Sequence, residues 1–162
     1  MHRSCIHEGD MAMKKIACCT DFSENAEAAF VMALEMAEKY GAKLIVIHVL
    51  PQVVNPVLAD AEWVFPVESK ESMISELEDR MDKEYGSRIG GRIDSELVVL
   101  DGHVSSEILN YLEKNQVDLV LTGSYGLSGV GLVVFGSVAK RLAHKASCSV
   151  LIVRLQKDSQ DS

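Results

Sequence analysis

The sequence predicts an α/β domain: a single open, mostly parallel five-stranded sheet with helices on both faces. Two observations carry this expectation. Short, nearly continuous apolar runs alternate along the chain with longer segments whose apolar residues recur at spacings of three and four. Runs of the first kind suit strands buried on both faces of a parallel sheet, and segments of the second kind suit helices that cover it. Strict alternation of the two, with no internal repeat, implies right-handed crossovers.

From Lys14 onward the pattern is regular. Lys15-Ile16-Ala17-Cys18-Cys19-Thr20 reads as the first strand, ending at Asp21. Ser23 can cap the following helix, whose apolar positions Ala26, Ala29, Phe30, Ala33, Ala37 and Tyr40 form one face, with Gly41 as its stop. Lys43 to Val49 is the second strand. A long connection from Pro51 to Pro66, with Trp63 and Phe65, leads into a second helix over Glu68 to Tyr85. Met73, Leu77 and Met81 lie on its inner face, and Gly86, Gly90 and Gly91 break the chain after it. Trp63 and Phe65 read either as a lid or as a small satellite core. Glu96 to Leu100 is strand three, with Asp101-Gly102 as its turn, and Val104 to Asn115 is helix three. Val117 to Thr122 is strand four, Ser137 to Lys145 the last helix and Ser149 to Val153 strand five. Residues 1–13 read as a flexible leader, 14–155 as the domain and 156–162 as a flexible tail. His2, Cys5 and His7 in the leader offer three metal-ligand types without a fourth, so a tail is the better reading.

Composition excludes several classes. The chain has 162 residues, 48% hydrophobic and 25% charged, which suits one ordinary globular domain. Its formal net charge of −8 argues against nucleic acid as a partner and gives no attraction to an anionic membrane. No apolar stretch approaches the roughly 18–20 residues needed to span a bilayer. Cys18 and Cys19 are adjacent in a strand and so point to opposite faces. With Cys5 and Cys148 they suggest reduced thiols and a cytoplasmic setting.

The motif that carries chemistry lies between strand four and the last helix. Gly123-Ser124-Tyr125-Gly126 is followed by Gly136-Ser137, and no residue from Leu121 to Ala139 is charged. A glycine-rich link from a strand's carboxyl end to a helix's amino end can wrap phosphate, because the helix's first N–H groups point at the anion. Asp21, Val49 and Gly123 all fall at the carboxyl edge of the sheet, where ligands bind in open α/β folds.

The spacing Gly123-x2-Gly126-x9-Gly136-Ser137 resembles the nucleotide-binding signature of the universal stress protein family, in its ATP-binding branch. Thr20-Asp21-Phe22-Ser23, His48-Val49 and Ala146 to Arg154 are similar to other segments of that family, in the same order. The resemblance implies a Rossmann-like, adenine nucleotide α-hydrolase-like sheet of order 3-2-1-4-5. It implies that Asp21 contacts the ribose and that Val49 presents backbone groups to adenine. Gly123 and Gly126 would pass under the ribose and α-phosphate. Gly136, Ser137 and Val138 would bind the outer phosphates through N–H groups, with the Ser137 hydroxyl assisting. It further implies ATP with Mg²⁺ as the ligand, and a homodimer formed through Ser149 to Val153.

Several positions depart from the family's pattern. Cys19, Ser147 and Ser149 stand where relatives carry proline. Tyr125, Leu127 and Gly131 leave the loop without the cation that relatives often have, and Lys140 and Arg141 lie inside the helix. Losing a charged hydrogen bond costs about 1.5–3 kcal/mol, so weaker or more metal-dependent binding is expected. His48 reads as a satisfied core histidine, and Cys18, Cys19 and Cys148 as small buried hydrophobes. Leu132 to Phe135 either packs beneath the last helix or forms an exposed patch. No residue stands out as a catalytic base, so a stress or signalling module with at most slow ATP hydrolysis is expected. The alternatives are a non-nucleotide interaction protein and a slow ATP-hydrolysing or adenylyl-transferring enzyme.

Overall fold

The computed structural model describes residues 13–51, 69–125 and 136–155. The elements run β1 (Lys15–Cys19), α1 (Glu24–Tyr40), β2 (Lys43–Pro51), α2 (Lys70–Met81), a π-helical turn (Asp82–Gly86) and α3 (Ser87–Ile89). They continue with β3 (Ser95–Gly102), α4 (Val104–Lys114), β4 (Leu119–Gly123), α5 (Ser137–Lys145) and β5 (Ser149–Val153). All four strand pairs are parallel and the order is β3-β2-β1-β4-β5. The expected fold class, an open five-stranded sheet of order 3-2-1-4-5, is the observed one.

Pleat alternation divides the interior into two layers. Ile16, Cys18, Leu44 and Val46 face α1 and the α2–α3 segment, meeting Phe30, Ala33, Ala37, Met81, Tyr85 and Ile89. Ala17, Cys19, Ile45, Ile47 and Val49 face the opposite way, toward Ile108 and Leu112 of α4 and Leu142 of α5. Cys18 and Cys19 therefore sit in different layers, and both are free thiols. Leu44 to Ile47 are each at most 2% exposed. Burial of such side chains stabilises by about 1.5–3 kcal/mol apiece, which makes β2 the best-anchored strand. Among the described residues, no helix is long and apolar enough to cross a membrane.

Helix α1 begins and ends as its sequence reads. The Ser23 hydroxyl accepts from the Ala26 N–H, and Gly41 closes the helix in the left-handed region at φ 63°. The second helix differs from expectation. Glu68 lies outside the described residues; Ser69 caps α2, and the helical path runs through Gly86 to Ile89. Gly86 is therefore not a breaker. A Cβ there would stand 2.4 Å from Asp82 Oδ1 and 3.3 Å from Leu97 Cδ1, both side-chain tips that would have to move aside for it. The wider turn keeps Met81, Tyr85 and Ile89 all buried. Asp101 and Gly102 extend β3 instead of turning away, because both pair with the end of β2. Strand β4 starts two residues later than its apolar run, since Val117 N–H still bonds Leu112 O at the end of α4.

Gly123, at the end of β4, has a structural reason to be glycine. A Cβ there would lie 2.8 Å from both the backbone carbon and the Cβ of Asn25, in the first turn of α1. Backbone and a buried side chain cannot yield as a flexible tip would. Gly123→Ala is expected to destabilise the fold by about 1–3 kcal/mol, the usual cost of overpacking. Urea unfolding of the variant measures it, and an unchanged midpoint would show that α1 can shift freely.

Candidate functional site

The carboxyl edge of the sheet opens where its strand order reverses. β1 and β4 pair as far as Cys18 and Leu121. Beyond that, Thr20 N–H bonds Ile47 O of β2 at 2.9 Å, while Ser124 N–H bonds Val153 O of β5 at 2.8 Å. The two central strands thus turn to opposite neighbours, and a crevice forms between their ends. A cavity of about 450 Å³ occupies it. That size suits a small organic ligand.

The turn from β1 into α1 forms one wall. Asp21 Oδ1 accepts from Ser23 N–H at 3.1 Å, and Thr20 Oγ1 accepts from Phe22 N–H at 3.0 Å. Phe22 is held at φ 62°, a conformation that non-glycine residues rarely adopt and that tends to mark functional turns. On the opposite wall, Gly136 N–H bonds Ser124 O at 2.7 Å, which brings the start of α5 to the end of β4. Gly136 is the N-cap of α5 and offers no side-chain cap. The first intrahelical bond there is Lys140 N–H to Gly136 O, so the N–H groups of Ser137, Val138 and Ala139 precede it. A helix start without a capping oxygen is suited to an external acceptor. The Ser124 hydroxyl, in a residue 1% exposed, has no hydrogen-bond partner among the described residues.

Asp21, Val49, Gly123, Gly136, Ser137 and Val138 all line this one cavity. Gly126, Leu127, Gly131 and the run Leu132 to Phe135 lie outside the described residues, as do Trp63, Phe65, His2, Cys5 and His7. Sequence reasoning missed part of the lining: Phe22, His48, Leu77, Arg80 and Val104. His48 is only partly buried, its Nδ1 donates to Thr20 O at 2.9 Å, and its ring lies 4.7 Å from that of Phe22. It is a cavity residue as well as a satisfied one. Its place in the His48-Val49 pair at a strand's end was the available signal. Arg80 gave no signal, being one charge on a densely charged helix face. Cys148 is half-buried, not fully buried like Cys18 and Cys19.

Burial pushes the His48 imidazole below its ordinary value of 6.5. The Thr20 carbonyl and the Asp21 charge pull it up, and the Arg80 charge pushes it down, without reversing the outcome. The neutral ring, carrying its proton on Nδ1, is the form the fold favours. Burial also raises the Cys19 thiol to about 12, so it is a packing residue and not a nucleophile.

Fold and cavity define a doubly wound α/β protein with a cavity at its switch point. The chain belongs to the universal stress protein family, whose profile matches residues 13–154. It is 30% identical over 161 residues to a universal stress protein of Methanocaldococcus jannaschii, spanning 95% of this chain and 89% of that one. Its fold is similar to that of universal stress protein UspA from Lactobacillus plantarum, with a TM-score of 0.67 and 22% identity, covering 88% of this chain and 98% of that one. It is also similar to the universal stress protein from Archaeoglobus fulgidus in complex with dAMP, with a TM-score of 0.62 and 21% identity, covering 88% and 99%. Two further structures of similar fold contain cAMP and AMP.

A histidine whose folded-state pKa is depressed stabilises the fold fully above its unfolded value, and that contribution is lost as pH falls through it. Thermal melts from pH 7.5 to 5 should therefore show wild type losing stability below about pH 6.5 more steeply than His48→Gln. Parallel pH profiles would contradict a buried neutral imidazole.

Proposed function

We propose that this chain is a nucleotide-binding universal stress protein of the ATP-binding branch, a dimeric stress-response or signalling module. The observation that carries the reading is the uncapped start of α5 brought to the switch-point crevice by the Gly136–Ser124 bond. Phosphates would accept from the N–H groups of Ser137 and Val138, with the Ser137 hydroxyl assisting; the Gly136 N–H, expected to join them, is instead bonded to Ser124 O, so Gly136 would serve by leaving room for the phosphate. Asp21 would meet the ribose and Val49 the adenine edge, with Gly123 and Gly126 beneath the sugar and α-phosphate. That similar folds hold dAMP, cAMP and AMP supports an adenine nucleotide.

ATP with Mg²⁺ fits the residues present. Among the described residues no three His, Cys, Asp or Glu side chains converge on one point. The ion would then be held chiefly by phosphate oxygens and water, as Mg²⁺ commonly is, and would neutralise phosphate charge. Hydrolysis would be slow at most. Residues 121–139 carry no lysine of the P-loop kind to polarise a transferred phosphate. The reduced cysteines suit a cytoplasmic setting.

The dimer would form through β5, which ends the sheet order and carries half-exposed Val150, Leu151 and Ile152. An apolar edge strand of this kind is a template for pairing with a second copy. Ile152→Lys should convert the dimer to monomer in sedimentation analysis, and a dimer that survives would place the interface elsewhere. The uncharged loop favours one second reading, a non-nucleotide interaction module of the same family.

Gly136→Val separates the two readings. Gly136 sits at φ −63° and ψ 156°, extended backbone that any residue adopts, so the fold should survive. Wild type at about 100 times the Mg-ATP dissociation constant should gain about 2.7 kcal/mol of stability. The variant should gain none. A melting shift equal in both proteins would remove the phosphate site from α5.

A further inference from the structure

Residues 121 to 139 bring no charge to the cavity, so a side chain that answers a phosphate's charge must come from another element. Among the described lining residues, Arg80 of α2 is the one fixed cation. Its guanidinium carbon lies 3.7 Å from the centroid of the Phe22 ring, and its Nε donates to Glu84 Oε1 at 2.7 Å. Stacking and pairing together fix the plane of the fork and leave its two Nη groups as the remaining donors.

Phe22 and the π turn that follows Arg80 are tied to one atom. Phe22 N–H donates to Thr20 Oγ1, and the Tyr85 hydroxyl lies 2.5 Å from the same oxygen. Tyr85 belongs to the π turn that opens two residues after Arg80. The left-handed backbone at Phe22 and the wide turn after Arg80 thus meet at Thr20, at the end of β1. Two local departures from regular geometry converge on holding this cation at the cavity wall. Simple packing would not require it, since the Arg80 side chain is 50% exposed. Its charge also reaches His48, on the same side of the cavity.

We propose that Arg80, stacked on Phe22, is the cationic residue of the nucleotide site. It reads a phosphate group of the bound adenine nucleotide from the β1–β2 side while the start of α5 holds phosphate from the β4 side. This rests on the reading of the cavity as a nucleotide site. An adenine nucleotide carries phosphate in two places, the 5′ chain or a ribose hydroxyl, and the chemistry Arg80 recognises is the same in both.

The test is calorimetric titration of wild type, Arg80→Gln and Arg80→Lys with adenosine, AMP, ATP and adenosine 3′,5′-bisphosphate. Arg80→Gln should weaken phosphorylated ligands about tenfold, the loss of a half-exposed charged hydrogen bond, and adenosine far less. Arg80→Lys should recover only part of that loss, because lysine keeps the charge without the stacked fork. The salt dependence of nucleotide binding should flatten in Arg80→Gln. A tenfold loss shared by AMP and ATP assigns the contact to the 5′ chain, and a loss confined to the bisphosphate assigns it to the ribose. Equal losses for adenosine and nucleotides, or no loss at all, would overturn the assignment. Wild type that binds none of the four would overturn the nucleotide reading itself, and this proposal with it. Matching urea midpoints for the three proteins show that any difference is in the site.

Discussion

The structure depends on the parting of β1 and β4. Each is a central strand, and each must satisfy the backbone groups at its carboxyl end by turning to its outer neighbour. Thr20 takes Ile47 and Ser124 takes Val153. The crevice between them is the geometric result of a sheet whose order reverses at that point. Among the described residues, those that line the 450 Å³ cavity gather around this divergence. The first turn of α1 closes over Gly123 because no Cβ stands in its way, and α5 is drawn in by the bond from Gly136 to Ser124.

The proposed site asks an acidic protein to hold an anion. A net charge of −8 repels phosphate at long range, yet a site built from oriented amides acts only within the first turn of a helix. α5 supplies those amides without a competing cap. Arg80 adds a fixed charge from the other face of the sheet, where Phe22 and Glu84 hold it. His48 is kept neutral beside it, and its Nδ1 proton is committed to the backbone. The start of α5, Arg80 and His48 line the cavity from both faces of the sheet.

Most of the fold was legible because local signals and tertiary contacts agree. The alternation of β1 and β2, the Ser23 cap and the Gly41 stop each read directly as the structure has them. Of the residues that line the cavity, Asp21, Val49, Gly123, Gly136, Ser137 and Val138 could be picked out because they sit at strand ends or at the start of a helix. Those are positions that periodicity locates. What was not legible depends on contacts distant in sequence. Gly86 reads as a breaker by propensity, whereas the helical path runs through it to Ile89. Arg80 reads as one solvated charge among many, and only the fold carries it across to Phe22. Gly123 reads as a ligand-facing glycine, while its tightest neighbour is Asn25.

The most direct measurement is a calorimetric titration of nucleotide-free protein with Mg-ATP. The account predicts saturable binding of about one nucleotide per chain, abolished when a side chain is placed at Gly136. Absence of heat at any attainable concentration, in protein whose melt is cooperative and unshifted by ATP, would contradict it. The crevice between β1 and β4 would then be a feature of the fold alone.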